Sequence, residues 1–346
     1  MSPVVVRFGA FGDLILLTPL LHLLHRRYGR PCTLVTSGDW AQPLLGDHPD
    51  VERLLQVRSR RRPYALDPQQ WRLARALRTL PDGPIYVCDE IALDKVRALL
   101  ARGGVAGERC IYISDHAMER DEHWVDRWLR FGRLTPSAFR AADFDWRDED
   151  LVTAPLLHVG AADRSDCRDW LHARGLAGAP LVLLQPGNKR TLKRGRLGTM
   201  GDDKHWPAEH WATLCRLIIA RLPQACIVLC GTPREAGVLE DIQRAVSLPQ
   251  VHIAARDLPV RRLLALLERA HSMVSIDTGP AHAAAAMGCA LIVLYGAASP
   301  LNWAPRSGSG SVVTTLASQT GSARVVDIPP ERVADAWCAL LALRET

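Results

Sequence analysis

Short β-branched or aliphatic runs alternate with longer stretches of helical spacing along almost the whole chain, and this alternation constrains the fold more than any other feature. It is the signature of βα units and a mainly parallel sheet, so the expected class is α/β. In the first half the spacing predicts strands at Val4–Arg7, Thr33–Thr36, Leu54–Val57, Ile85–Cys88 and Cys110–Ile113. Helices are expected between them. Pro68–Leu80 carries Trp71, Leu73, Ala74, Leu77 and Leu80 at spacings suited to one face, and His123–Phe131 carries Trp124 and Trp128 four apart.

Around Ala141–Val159 the pattern lapses into an acidic stretch, Asp143 to Asp150, followed by Pro155, which reads as a linker. A second series follows. It predicts strands at Leu181–Gln185, Cys226–Cys230, Val251–Ile253, Met273–Ile276 and Leu291–Tyr295, with helices near Pro207–Leu222, Arg234–Val246, Pro259–Arg269 and Pro280–Met287. At 346 residues the chain suits two domains, 1–158 and 159–346, each with its own core. A last helix opened by proline, Pro330–Leu343, packs on its own half or crosses back to the first. Two doubly wound domains facing each other place the carboxyl ends of both sheets at a shared cleft, where ligands of open α/β sheets bind.

Several function classes fall away. The longest apolar stretch, Leu14–Leu24, is interrupted by Thr18, Pro19 and His22 and is too short to span a bilayer, and no secretory leader is evident at the start. Nine cysteines without a C-x-x-C pair suggest reduced thiols in a cytoplasm. His205 and His210 do not form a zinc motif, no G-x-S-x-G elbow is present, and no metal is expected. The net charge of +6 favours phosphate-bearing partners or an anionic membrane face. Arg58 to Arg62 holds four arginines without interleaved aromatics, so nucleic acid is not an expected partner.

Three segments could carry chemistry, each just after a predicted strand. The first is Arg7-Phe-Gly-Ala-Phe-Gly-Asp13, ahead of a helix expected to start at Leu14. Gly9 and Gly12 permit close backbone approach, and Asp13 at a helix start is either an N-cap, a catalytic acid–base group, or both. Arg7 stands where a dinucleotide fingerprint needs glycine, which disfavours NAD.

The second segment runs from Gln185-Pro-Gly187-Asn188-Lys189 to Asp203-Lys204-His-Trp-Pro207. Lys189, Arg190, Lys193, Arg194, Arg196 and Lys204 could surround a diphosphate, and Gly187, Gly195, Gly198 and Gly201 would let the loop close; the other reading is a solvated basic loop. The third is Ser275-Ile-Asp277-Thr278-Gly279-Pro-Ala-His282, in which the helix start offers N–H groups to phosphate oxygens and Asp277 suits ribose hydroxyls. His282 is a ligand contact or simply a packed histidine. Glu235, after the strand ending at Cys230, could hold a ribose diol or be an exposed helix-start glutamate.

Taken together these segments resemble glycosyltransferase family 9, the ADP-heptose lipopolysaccharide heptosyltransferases and their relatives. The resemblance is carried by Arg7 with Gly12-Asp13 and Thr18-Pro19, by His123 and Val125, by Gln185-Pro-Gly187, by Asp203-Lys-His-Trp-Pro-Ala-Glu-His-Trp211, by Gly231 with Glu235, by Asp277-Thr-Gly-Pro-Ala-His282, and by Gly296, Pro300, Trp303 and Pro305. Gly9 replaces the serine or threonine often found in the first loop, the stretch between Pro186 and Lys204 is long and basic, and Ala297-Ala298 stands where many members have Pro-Thr.

The resemblance implies a GT-B fold of two Rossmann-like domains facing each other across a cleft, the first binding the acceptor and the second an ADP-sugar co-substrate. It implies inverting heptose transfer to the lipopolysaccharide inner core, at the cytoplasmic face of the inner membrane, without metal or other cofactor. By position, Asp13 resembles the general base and Gly9, Ala10, Phe11 and Gly12 form the acceptor-side loop. Lys204 resembles a phosphate ligand, Glu235 and Asp277 nucleotide-sugar contacts, and Thr278, Gly279 and His282 the phosphate-side turn, with Gly187, Asn188 and Lys189 on the donor side. The other readings are the same fold with another nucleotide-sugar or acceptor, and a non-catalytic nucleotide or nucleic-acid binder.

Overall fold

Three consecutive valines, Val4 to Val6, are almost wholly buried on both faces, as expected of a central strand in a covered parallel sheet. They open a computed structural model that describes residues 1–58, 64–91, 93–188 and 202–342. The chain divides into two units, Met1–His158 and Val159–Thr346.

The first unit holds β1 (Val4–Arg7), β2 (Cys32–Ser37), β3 (Val51–Val57), β4 (Ile85–Val87) and β5 (Cys110–Tyr112) in one sheet of order β3-β2-β1-β4-β5. All neighbours are parallel, with Val4 opposite both Thr33 and Ile85. The order reverses between β1 and β4, and a crevice opens at such a point beyond the carboxyl ends of the strands. Arg7 and Asp89 stand at that edge.

The second unit holds β6 (Leu181–Gln185), β7 (Cys226–Cys230), β8 (Val251–Ala254), β9 (Ser272–Ile276), β10 (Leu291–Tyr295) and β11 (Val313–Ala317) in the order β11-β10-β9-β6-β7-β8, again all parallel. Its switch point lies between β6 and β9. Both units are therefore doubly wound Rossmann-like α/β layers.

Four expectations need correcting. The first helix is Phe11–Leu16, not one starting at Leu14, and a second, Thr18–Tyr28, follows and ends at Gly29 with positive φ. Asp13 is consequently not the N-cap: Ala10 is, and Asp13 lies in the first turn. The stretch expected as the linker does hold the boundary between the units, at its very end, but the residues before that boundary are packed on the first unit. Asp150 accepts from Arg26 Nε at 3.0 Å, the Phe144 carbonyl from Arg27 Nε at 2.7 Å, and Leu156 N–H donates to Thr18 Oγ1 at 2.8 Å, all within the first unit.

The sequence reading also stops one strand early, because β11 is a half-buried edge strand with Thr314 and Thr315 at its middle. The last helix, Pro330–Ala342, packs on its own half: Val333, Trp337 and Leu340 join the second core and Trp337 Nε1 donates to Ser272 Oγ at 2.9 Å. That core also holds Trp206 and Trp211, edge to face at 4.7 Å.

Among the described residues no helix is long and apolar enough to cross a membrane, and no group of three His, Cys, Asp or Glu is placed to hold a metal ion.

Candidate active site

At the carboxyl edge of β1 the turn Phe8–Gly12 is pinned by carboxylates at both ends. Asp89, just past β4 and buried, accepts the Phe8 N–H at 2.9 Å through Oδ2. Asp13 reaches back along its own helix start, and its Oδ2 accepts the Ala10 N–H at 2.6 Å. Arg7 Nη2 lies 3.2 Å from Asp13 Oδ1, while Arg7 Nη1 donates to the Cys88 carbonyl at 2.7 Å and lies 3.8 Å from Asp89 Oδ1. Gly9 is required by space: a Cβ there would fall 2.5 Å from Asp13 Cβ and 3.1 Å from Arg7 Nε. Phe8 is buried, whereas Ala10, Phe11, Gly12 and Asp13 are half-buried.

Two charged residues at this edge escape a reading of the sequence, Asp89 and Arg127. Asp89 has a usable signal, since it directly follows the predicted strand Ile85–Cys88. Arg127 sits on the buried face of the helix Trp124–Gly132, held by Glu90 Oε1 at 2.6 Å and the His116 carbonyl at 3.1 Å, over the Trp124 ring at 4.9 Å. Its only clue is a lone cation between two tryptophans.

In the second unit the site residues lie beyond β7, β6 and β9, three adjacent strands. After β6, Gln185 Nε2 donates to the Gly187 carbonyl at 3.0 Å. Gly187 abuts Glu235 so closely that a Cβ would lie 2.2 Å from Glu235 Oε1. Glu235 does start a helix, Ala236–Val246, but it is buried rather than exposed; its Oε2 accepts from Thr232 N–H at 2.7 Å and Thr232 Oγ1 at 2.9 Å. Burial pushes its carboxyl above the usual range, and the two bonds from Thr232 partly oppose that.

After β9, Lys204 and Asp277 meet. Lys204 Nζ donates to Asp277 Oδ2 at 2.5 Å and to the Asp277 carbonyl at 3.0 Å. Lys204 is itself held by its neighbours: Asp203 Oδ2 accepts the Ala297 N–H at 2.9 Å, the Asp203 carbonyl accepts the Val325 N–H at 2.8 Å, and Trp206 Nε1 donates to the Ile328 carbonyl at 2.9 Å. Gly296 leaves room for this loop, since a Cβ there would lie 2.4 Å from the Asp203 carbonyl oxygen.

Thr278 caps the helix Gly279–Ala286, whose early Pro280 costs no helical hydrogen bond, and Ser275 Oγ lies 3.3 Å from Thr278 Oγ1. His282 is buried within that helix and Asn188 is half-buried. Lys189, with Arg190, Lys193, Arg194, Arg196, Gly195, Gly198 and Gly201, lies outside the described residues, as do Ser59 to Arg62 of the arginine run.

Two parallel-sheet α/β units, each with polar residues at the carboxyl edge of its switch point, are the architecture of the GT-B glycosyltransferases. Residues 155–326 match the family model of glycosyltransferase family 9 (heptosyltransferase). The chain is 24% identical to lipooligosaccharide heptosyltransferase 2 of Haemophilus influenzae over 99% of its own length and 100% of that protein. It is 23% identical to lipopolysaccharide heptosyltransferase 2 of Escherichia coli over the full length of both.

Among solved structures, E. coli ADP-heptose LPS heptosyltransferase II superposes with a TM-score of 0.77 at 21% identity, covering 100% of both chains. E. coli heptosyltransferase WaaC with ADP gives a TM-score of 0.67 at 19% identity, covering 98% of this chain and 100% of that one. The second unit carries the match to glycosyltransferase family 9 (heptosyltransferase), the full-length relatives are heptosyltransferases, and the chain is a glycosyltransferase.

Proposed function

We propose that the protein transfers a heptose from ADP-heptose to a lipopolysaccharide inner-core acceptor in one inverting displacement, without a metal ion. The observation that carries this reading is the gathering of Gly187 against Glu235 and of Lys204 against Asp277 beyond three adjacent strands of the second unit. The choice of donor and acceptor is supported by the relatives, whose names and titles specify ADP-heptose and lipopolysaccharide.

In this mechanism the first unit binds the acceptor and the second the ADP-sugar. The acceptor hydroxyl oxygen attacks the anomeric carbon as the bond from that carbon to the diphosphate oxygen breaks, releasing ADP with the bonding electrons. Asp13 takes the hydroxyl proton as the new C–O bond forms, an effect worth about 10²–10⁴-fold. Lys204 and the N–H groups at the start of Gly279–Ala286 stabilise the charge growing on the diphosphate. Glu235 and Asp277 hold the nucleotide's hydroxyls, and Gly187 and Asn188 form the donor-side wall.

The same reading places the protein in the cytoplasm, peripheral to an anionic membrane. The helix Pro68–Arg78 supports this, since Arg72, Arg75 and Arg78 are exposed on it beside Trp71, 47% exposed, and it carries no acidic residue. Leu66, just before it, is 76% exposed.

The test is a thermal-shift panel of ADP-, UDP-, GDP- and CMP-sugars followed by a transfer assay. An ADP-sugar should raise Tm most, and Asp13→Asn should keep that shift while losing turnover. A shift confined to another base overturns the donor assignment; full turnover in Asp13→Asn overturns the base assignment.

A further inference from the structure

We propose that Arg7, seated on the face of Trp128, is a positioning residue that fixes the carboxylate of Asp13 for proton transfer. This rests on the reading of Asp13 as the general base and adds a group that acts through it.

Arg7 is the last residue of β1, the central strand flanked by β2 and β4, and it pairs with Thr36 of β2. Its side chain, 12% exposed, is clamped on two sides. One Nη donates to the Cys88 carbonyl at 2.7 Å, and the guanidinium carbon lies 5.4 Å from the centroid of the fully buried Trp128 ring. A planar guanidinium laid against an aromatic face loses its freedom to turn, and that orientation carries the other Nη to Asp13 Oδ1 at 3.2 Å.

The Ala10 N–H holds the second oxygen, Oδ2, at 2.6 Å. Each oxygen of Asp13 thus has one fixed donor and keeps a lone pair beyond it, and the side chain is 25% exposed. A base held in this way needs no rearrangement at the moment of transfer. A displacement of about 1 Å in such a group can cost about a hundredfold in rate. Asp89, whose Oδ1 lies 3.8 Å from Arg7 Nη1, shares the cation and secures the Phe8 N–H, so the whole turn is referenced to the ends of β1 and β4.

The experiment is a double-mutant cycle on the full chain with Arg7→Gln, Arg7→Lys, Asp13→Asn and the Arg7→Gln/Asp13→Asn pair, reading kcat, donor KM and Tm. Arg7→Gln should lower kcat by about ten- to a hundredfold with donor KM unchanged. Arg7→Lys, which keeps the charge but loses the planar fork, should recover part of the loss. The double variant should turn over at the Asp13→Asn rate, because with no base left there is nothing to position.

Wild-type kcat in Arg7→Gln overturns the proposal. So does a double variant slowed by the full product of the two single effects, since that is what a merely structural Arg7 would give. If Arg7→Gln fails to fold, Arg7→Lys with Asp13→Asn completes the same cycle and is judged by the same two outcomes. Wild-type turnover in Asp13→Asn is a separate result: it removes the general-base reading itself, and the positioning role with it.

Discussion

Lys204 Nζ donates to both the side chain and the backbone carbonyl of Asp277, at 2.5 Å and 3.0 Å, so two of the ammonium's three hydrogens are spent inside the protein. The pair is nearly buried, with side chains 18% and 10% exposed, so the charges are only weakly screened and removing one strands the other.

Replacing Lys204 should therefore harm more than one contact. Lys204→Ala is expected to weaken ADP binding by about ten- to a hundredfold, in line with about 1.5–3 kcal/mol for hydrogen bonds to charged groups. Titration calorimetry with ADP checks this. Affinity equal to wild type would mean that the diphosphate is held by other residues.

Gly187→Ala tests the wall against Glu235. A Cβ 2.2 Å from Oε1 and 2.7 Å from Cδ must push the carboxylate off Thr232, at a cost of about 1–3 kcal/mol. The expected result is a lowered Tm together with loss of the Tm rise on adding ADP-sugar. Glu235→Gln, which keeps the shape and removes the buried charge, should hold Tm near wild type while weakening the nucleotide.

Acid should destabilise the first unit through His48. This ring is buried, and burial lowers its titration below the usual histidine value, although facing Asp50 and the Leu156 carbonyl oppose the shift; His158 and His22, also packed against it, add to the lowering. Its Nδ1 accepts the Asp50 N–H at 3.2 Å and its Nε2 lies 3.1 Å from the Leu156 carbonyl, which fits the neutral form. The unfolded chain then binds the extra proton, so the stabilisation is present above about pH 6.5 and is lost as pH falls through the lowered folded value.

Asp50 acts in the same direction at more acidic pH. Burial would raise its carboxyl, but the hydrogen bonds with His22 and His25, at 3.2 and 2.6 Å, win and hold it below its usual range. Melting temperature should therefore hold level from pH 8 to about 6.5 and fall from there to pH 5, and His48→Gln should flatten that fall. An unchanged slope in His48→Gln would assign the effect elsewhere.

Membrane contact through Pro68–Arg78 should depend on salt. Wild type should sediment with vesicles of anionic phospholipid and not with zwitterionic ones, and should detach at about 0.5 M salt as charges are screened. Arg72→Gln/Arg75→Gln should sharply reduce sedimentation without altering Tm, since both side chains are exposed. Binding that survives high salt would argue against an electrostatic surface.

Much of the fold is legible in the sequence because fully buried parallel strands read as unbroken aliphatic runs. β1, β6, β7 and β10 fall on the residues the spacing predicts. What escapes is decided by tertiary contact. Gly12 and Asp13 look like turn residues, yet they lie inside a helix that begins at Phe11. Thr314 and Thr315 break the apolar run of an edge strand whose pairing to β10 supplies what its composition lacks.

Asp13, Lys204 and Glu235 are visible as polar residues placed after strands. Their partners are less so: Asp89 for the turn, Trp128 for Arg7, and Thr232 for Glu235 come from distant segments or from a neighbour whose role only the packing reveals.

Trp206, two residues past Lys204, is sunk in the same apolar mass as Trp337 of the final helix, and its indole N–H is tied to the Ile328 carbonyl just ahead of that helix. Engineering at the tail is thus engineering at the Lys204–Asp277 pair. Deleting Pro330–Ala342 would unseat the anchor of Lys204 as surely as a change in the lysine's own loop, and variation in that distant stretch is a route by which the Lys204–Asp277 pair could shift while neither residue changes.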